Sequence, residues 1–424
     1  MKLQRRILHL GDLHFDEFAT LAQNTVVTSD GFNAALRDRL QATILLIDHA
    51  ADQGPLAGIV IPGDVFHRAH PTPNEMRAAA TVLAHGAQKC AAGKVLVLAG
   101  NHDETRNTRD ATALAGVDLA PFVIAVERPA VLEYAGILWA CLPYVRRSSV
   151  REQANVQGRV TERDFYTGAV RALGLSLHAS LQEQQFQRRM STDSAVRGPV
   201  NLPWALAYHG AVEGAMVGVQ PRSLEGDIEL PIEIIDAYPA ALLGHIHRQQ
   251  AIGRNGRYSG SQCIHDFGEA DELKGGVVWT FDDAAPDIDA AAEFLSIDAI
   301  LGRPLRAWTT WDIPSDLDPA DVESTCDAID EMPSDGSVNR FRGSLPEPQV
   351  LAVRGALRRY TARGGICADE LVIQHENRMR DAAIGRERLS DAELVQRALA
   401  TRQIEGSRAD RILAHHAEIE QGGA

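Results

Sequence analysis

Four short apolar runs in this chain stop at a glycine and then release side chains that carry protons or bind metals. The run ending at Leu10 gives way to Gly11-Asp12-Leu13-His14, and LAGIVIP (56–62) gives way to Gly63-Asp64-Val65-Phe66-His67. KVLVLA (94–99) ends at Gly100-Asn101-His102-Asp103-Glu104, and the run ending at Leu243 ends at Gly244-His245-Ile246-His247. A fifth and weaker case is ALAY (205–208), followed by His209-Gly210. Short apolar runs bounded by turn residues are buried strands, and in layered α/β folds the strand ends form the crevice in which sites are built. The chain must therefore bring five strand ends to one place.

The intervening segments support a layered α/β fold with sheet at its centre. Residues 33–52 carry apolar positions at helical spacing, and residues 74–92 do the same with Pro73 as a start signal. Ala130–Tyr134 and Ile137–Leu142 read as a hairpin joined at Ala135-Gly136, and Trp204–Tyr208, Ala240–Leu243 and Gly276–Phe281 read as further strands. The polar segment 150–200, with its Gln- and Arg-rich helical stretches, reads as an insertion or a mobile flap. Past Phe281 the composition shifts to an acidic, Ala-rich stretch. A smaller unit follows, with strand-like Leu305–Ile313 and Leu371–His375 around a helix over 348–363. A length of 424 residues suits two or three domains. The expected division is 1–299, a capping domain over 300–380, and a helical tail over 381–424.

The ligand types narrow the chemistry. Carboxylate, imidazole and amide without thiolate suit Mn²⁺, Fe²⁺, Mg²⁺ or Zn²⁺. Asp12 with His14, and His245 with His247, are i and i+2 pairs that point the same way from extended backbone. Asp64 is a single carboxylate able to bridge two ions, and two ions about 3.5–4 Å apart suit phosphate ester hydrolysis. Any one such motif is weak, because Asp and Gly are common turn residues; their joint, ordered occurrence decides. His9, His70, His178 and His265 are read as ordinary residues.

The ordered set resembles the calcineurin-like metallophosphoesterases, and within them the SbcD-type DNA-repair nucleases. The narrower likeness rests on residues 63–67 and 98–103, on Leu142-Pro143-Tyr144, and on Tyr258-Ser259-Gly260-Ser261 followed by Asp266-Phe267-Gly268-Glu269 and Lys274-Gly275. The resemblance implies a layered αββα sandwich with a smaller α/β capping domain and a helical C-terminal tail. It implies two divalent ions, Mn²⁺ by expectation: one held by Asp12, His14, Asp64 and His247, the other by Asp64, Asn101, His209 and His245. It assigns His102 to the leaving oxygen, Asp103 to orienting His102, and His67 to the substrate phosphate. The implied activity is exonuclease and endonuclease cleavage of DNA. The implied partner is an SbcC-type coiled-coil ATPase that the tail docks on, with the chain a homodimer inside a heterotetramer. Another phosphoesterase (a cyclic-nucleotide phosphodiesterase or a protein phosphatase) and a catalytically reduced DNA-end-binding scaffold are the rival readings.

Composition bears on these rivals at three points. No apolar run reaches the ~20 residues of a membrane span. Five scattered cysteines without a CxxC suggest reduced thiols in a cytoplasmic protein. The formal net charge of −15 is unfavourable for holding DNA unaided. A local basic patch, the metals or a partner must then supply affinity, and the six arginines between Asn339 and Gly365, against the single acid Glu347 before Asp369, are the expected patch.

Overall fold

The structure is a computed structural model that describes residues 4–17, 31–103, 113–115, 119, 121–146, 162–190, 202–217, 228–285 and 289–374. The chain opens with β1 (Gln4–His9), α1 (Ala34–Asp52), β2 (Gly58–Ile61), α2 (Pro73–Lys89), β3 (Val95–Leu98) and β4 (Val123–Val126). There follow β5 (Ala130–Tyr134), β6 (Ile137–Leu142), α3 (Glu162–Met190), β7 (Trp204–His209), α4 (Ile232–Asp236), β8 (Ala241–Gly244), β9 (Gln250–Ile252), β10 (Gly256–Tyr258), β11 (Gly275–Asp282) and β12 (Ala291–Ser296). A last group comprises α5 (Ile297–Leu301), β13 (Trp308–Asp312), α6 (Pro319–Glu331), β14 (Val338–Leu345), α7 (Glu347–Ala362) and β15 (Ile366–Ile373).

Two six-stranded sheets, ordered β12-β11-β1-β2-β3-β4 and β5-β6-β7-β8-β10-β9, stack face to face. Strand periodicity explains the layers. Ile7, Val60, Leu96 and Leu98 from one sheet meet Trp139, Cys141, Ala207 and Leu242 from the other in the central core. The alternate residues Leu8, Ile59, Ile61, Val95 and Val97 turn outward to α1 and α2. Leu138, Ala140, Leu206 and Leu243 turn outward to α3 and α4. Each central strand is thus apolar on both faces, as strands covered by helices require. Helix starts follow local chemistry. Asn33 accepts the Leu36 N–H at the head of α1, and Thr72 and Glu75 form a capping box at the head of α2, with Pro73 as its first residue. The expected αββα sandwich is observed.

The segment read as an insertion or flap is otherwise in its described part. Residues 162–190 form one helix whose Tyr166, Val170, Leu177 and Leu181 are buried against the second sheet. Gln182, Gln184, Gln187 and Arg171 are exposed, while Gln185 continues the buried face and donates to the Leu202 carbonyl at 3.1 Å, so a narrow apolar stripe was masked by a polar composition.

The third sheet, β13-β14-β15, carries α6 and α7. Residues 1–344 together with 348–372 make one compact unit, so these cap elements share it with the two large sheets. The second unit comprises 345–347 and 373–424, and the expected helical tail 381–424 lies outside the described residues. Arg306 clamps the cap to α1 through Asp38, with Nη2 2.7 Å from Oδ1. Trp308 meets Phe267 edge-on at 4.8 Å, and the Arg340 guanidinium lies 4.6 Å over the same ring.

The arginines expected to form a basic patch are largely neutralised in space. Arg354 Nε is 2.7 Å from Asp369, Arg363 is 3.5 Å from Asp330 and Arg340 is 3.8 Å from Glu370, while Arg359 also pairs with Asp330 and Arg342 with Asp312. Among the described residues only Arg358 of the six has no acidic partner. The acids come from neighbouring elements, which a count along one segment cannot see. No described helix is long and apolar enough to cross a membrane.

One hydroxyl ties the two large sheets together. Tyr134 of β5 accepts the Ile59 N–H at 2.9 Å and donates to the Lys94 carbonyl at 2.6 Å. Tyr134→Phe should lower unfolding free energy by about 1–3 kcal/mol, the cost of leaving buried partners unsatisfied. Urea denaturation with an unchanged m-value is the check.

Candidate metal centre

β1, β2 and β3 run parallel, as do β7 and β8, so each set delivers its C-terminal ends to one edge of the sandwich. Asp12, Asp64 and Asn101 arrive from the first sheet, and His209, His245 and His247 from the second. The backbone there is strained. Four of the five described non-glycine residues with positive φ are Asp12 (53°), His14 (43°), Asp64 (53°) and His245 (102°). Side chains accept that conformation rarely, and such outliers cluster at functional sites. Asp12 and His14 therefore do not converge from extended backbone as the i and i+2 spacing suggested; a left-handed turn at each brings them in.

The glycines before these residues make room. A Cβ on Gly100 would stand 2.0 Å from Asp64 Oδ1, and one on Gly63, whose φ is +98°, would stand 2.1 Å from His209 Nδ1.

Three clusters result, and within each the ligand-type atoms lie within 4.8 Å of one another: Asp12, His14 and His247; Asp64, His209 and His245; His14, His67 and His102. Asn101 Oδ1 joins the second, 2.9 Å from His245 Nδ1 and 3.0 Å from His209 Nε2. Asp64 Oδ2 lies between the first two, 3.5 Å from His14 Nε2 and 3.3 Å from His209 Nε2. All seven residues expected as ligands are thus brought together, with Asp64 in the shared position.

The electrostatics fit divalent cations. Asp12 and Asp64 are buried, neither pairs with a lysine or arginine among the described residues, and Asp12 Oδ2 has no hydrogen-bond partner. His14 and His247 present Nε2 atoms to each other at 3.0 Å. Burial, then repulsion from neighbouring imidazoles, drives His14 well below its ordinary pKa and leaves the ring neutral, the form a metal ligand requires. Burial pushes Asp12 up. Burial also pushes Asp64 upward, but attraction to His209 and a hydrogen bond with it carry the group down to about 2. The same pairing, acting against burial, lifts His209 to about 9.

Second contacts fix the rings. His209 Nδ1 donates to the Pro62 carbonyl at 2.5 Å, and His247 Nδ1 meets Glu269 Oε1 at 2.7 Å. Glu269 sits in the stretch read only as a subfamily mark, and no spacing links it to His247. The buried Lys274 that follows, 2.7 Å from Glu269, is the one local hint. His265, read as ordinary, packs with its ring centroid 4.9 Å from His14 and 4.5 Å from His247. His9 is an ordinary core residue: it meets the Leu243 carbonyl at 3.2 Å, and burial holds its pKa at about 3.

The outer imidazoles depart from expectation in one respect. Asp103 does not orient His102: its carboxylate accepts the Phe66 and Gly100 N–H groups, each at 3.0 Å. It thereby holds two motif loops together, and burial, with Asp64 nearby, lifts it to about 7. His102 is oriented instead by the His67 carbonyl, 2.7 Å from its Nδ1. The His67 ring stacks on His102 with centroids 5.0 Å apart and remains partly exposed.

Residues 5–146 match the family model for the calcineurin-like phosphoesterases. The chain carries a metal-dependent phosphoesterase domain. Asp12, His14, Asp64, His67, Asn101, His102 and Asp103 fall inside the matched span; His209, His245 and His247 reach the phosphoesterase centre from beyond it. No curated protein matches the chain. Among solved structures 48 chains match. One is a crystal structure aligned over 69% of this chain and 100% of its own at 11% identity and a TM-score of 0.34, a likeness too distant to carry argument.

Two substitutions test the centre. Gly100→Ala should displace the Asp64 carboxylate and strip bound metal while leaving far-UV circular dichroism unchanged; elemental analysis reads the loss. Glu269→Gln should weaken metal affinity about 10–100-fold, as loss of an outer carboxylate on a ligand histidine does. Metal-buffered titration reads that change.

Proposed function

We propose that the chain is a two-metal DNA phosphodiesterase, Mn²⁺-dependent, acting in DNA end processing with an SbcC-type ATPase. The observation that carries the reading is Asp64 set between two ligand clusters, with His67 and His102 along one side. DNA as substrate is supported by the sequence likeness to SbcD-type nucleases at residues 63–67, 98–103 and 258–275, and by a cap clamped to α1. The ATPase partner, the heterotetramer and a cytoplasmic setting rest on that likeness and on cysteine usage.

Asp12, His14, Asp64 and His247 would hold one ion, and Asp64, Asn101, His209 and His245 the other. When bound, such a pair polarises a phosphate and lowers the pKa of water. The residues of the chain then divide the remaining work. The His67 carbonyl accepts only, so His102 Nδ1 bears hydrogen and Nε2 is left as the exchanging position. As a water oxygen forms its bond to phosphorus, the bond to the leaving oxygen breaks and a proton held at Nε2 passes to that oxygen. His67, partly exposed on that side, would meet the substrate phosphate. Glu269 keeps the His247 ring aligned throughout.

Purified protein with Mn²⁺, and with EDTA as control, should cleave labelled linear duplex, hairpin or single-stranded DNA, with rates raised by the ATPase. Hydrolysis of bis(p-nitrophenyl) phosphate with every DNA left intact would remove DNA as substrate while keeping the phosphodiesterase. His102→Ala should retain both metals and lose about 10²–10⁴-fold in rate, the usual contribution of a general acid. A parallel loss of metal would make His102 a ligand instead.

A further inference from the structure

His265 packs against both histidines of one ligand cluster and belongs to none of the three clusters. Its ring stands edge-on to His14, with centroids 4.9 Å apart, and tilted by 38° to His247 at 4.5 Å. The His14 and His247 rings are themselves 4.8 Å apart, so three imidazoles close a triangle. Two of them turn Nε2 atoms toward each other, where one ion could take both. The third is otherwise engaged. Arg39 of α1 donates from Nη2 to His265 Nδ1 at 3.2 Å. A guanidinium has hydrogens to give and no lone pair to offer, so Nδ1 is the acceptor and the ring hydrogen sits on Nε2. Neither nitrogen of His265 then has a lone pair left for an ion.

What such a ring can do follows from how its neighbours are held. Arg39 is buried and also donates to the Ala35 carbonyl at 3.2 Å, which fixes the guanidinium, and through it the His265 ring, to the first turn of α1. The His265 N–H donates to Glu269 Oε2 at 3.1 Å, and the other oxygen of that carboxylate takes His247 Nδ1. His247 is therefore held at its nitrogen by Glu269 and along its flank by the His265 ring. His14 has a poorer anchor: its Nδ1 meets the partly exposed His67 ring, 3.3 Å away. With no carboxylate at that nitrogen, its direction depends on packing. The histidines of the other cluster, His209 and His245, have Tyr144 as their ring neighbour instead, at 6.1 and 5.8 Å. We propose that His265, oriented by Arg39, is a positioning residue whose ring sets the directions of His14 and His247, and with them the affinity of the ion those two would share with Asp12 and Asp64. This role rests on the two-ion reading above.

The test is which ion is lost. In metal-buffered Mn²⁺ titration, full-length His265→Ala should bind one ion ~10-fold or more weakly, because two freed rings must be re-ordered each time it binds, and the other within about 2-fold of wild type. Crystals held at a free Mn²⁺ concentration that fills both sites of the wild-type protein should locate the loss. The anomalous manganese peak at His14 and His247 should be depleted and the peak at His209 and His245 kept. His265→Asn retains an acceptor for Arg39 but no ring, so it should lose the same ion as the alanine variant does, and it stands in should that variant not fold. His265→Phe restores a ring without the acceptor and should recover part of the affinity. Equal weakening of both ions would mean general loosening and overturns the role. So does unchanged affinity in both ring-less variants. A phenylalanine variant as weak as alanine overturns it too, since a nitrogen of His265 would then be the active group. A single ion in the wild-type protein would defeat the two-ion reading, and an unweakened single ion in His265→Ala would defeat the role of His265. No DNA enters the measurement, so neither result depends on the substrate.

Discussion

Asp12 and Asp64 are carboxylates taken out of water with only histidines and backbone N–H groups for company. Removing such groups from water costs several kcal/mol each unless charge is returned to them. Much else in the centre follows from that debt. The neutral His14, the raised His209, and the left-handed backbone at Asp12, His14 and Asp64 all fit a site designed to be completed by cations. Strain of about 1–3 kcal/mol per outlier persists only where surrounding structure over-determines it. Here the over-determination comes from β1, β2 and β3, buried on both faces directly behind the turns.

The centre straddles the seam between two sheets, so its geometry depends on their stacking as much as on any loop. Asn101 from the first sheet touches His209 and His245 from the second, and the His245 N–H donates to Asp12 across the same seam at 2.8 Å. Trp139, Trp279 and Phe281 fill the layer between the sheets and set their separation. A shift of either sheet would separate the two ligand clusters that Asp64 joins. A packed interior resists such shifts, because it has few voids to move into.

Legibility in the sequence followed the range of the interactions. The seven ligand-type residues could be read because each follows an apolar run within one to four residues, so strand and ligand are one local pattern. The helical character of 162–190 was legible, but its packing against the second sheet was not, because Tyr166, Val170, Leu177 and Leu181 form a thin stripe among Gln and Arg. The contacts of Glu269 and His265 could not be read for a different reason: their importance lies in what they meet. Glu269 reaches His247 across 22 positions, and no periodicity encodes such a pair. The resemblance gave Asp103 the orienting of His102, whereas its carboxylate accepts backbone N–H groups of two loops, a contact that no local pattern announces.

The cap teaches the same lesson about charge. Six arginines in one segment look like a phosphate-binding surface, yet Asp312, Asp330, Asp369 and Glu370 fold against five of them. Exposed pairs of this kind contribute little to stability. They do lower the local potential that a polyanion would feel, and phosphate neutralisation is what dominates affinity for DNA. A chain with a net charge of −15 and a neutralised cap therefore has two sources of attraction to a phosphodiester. One is the cations its buried carboxylates call for. The other, under the proposed function, would be positive surface on a partner, which is the physical reason that a partner is expected to raise the rate shown by the chain alone.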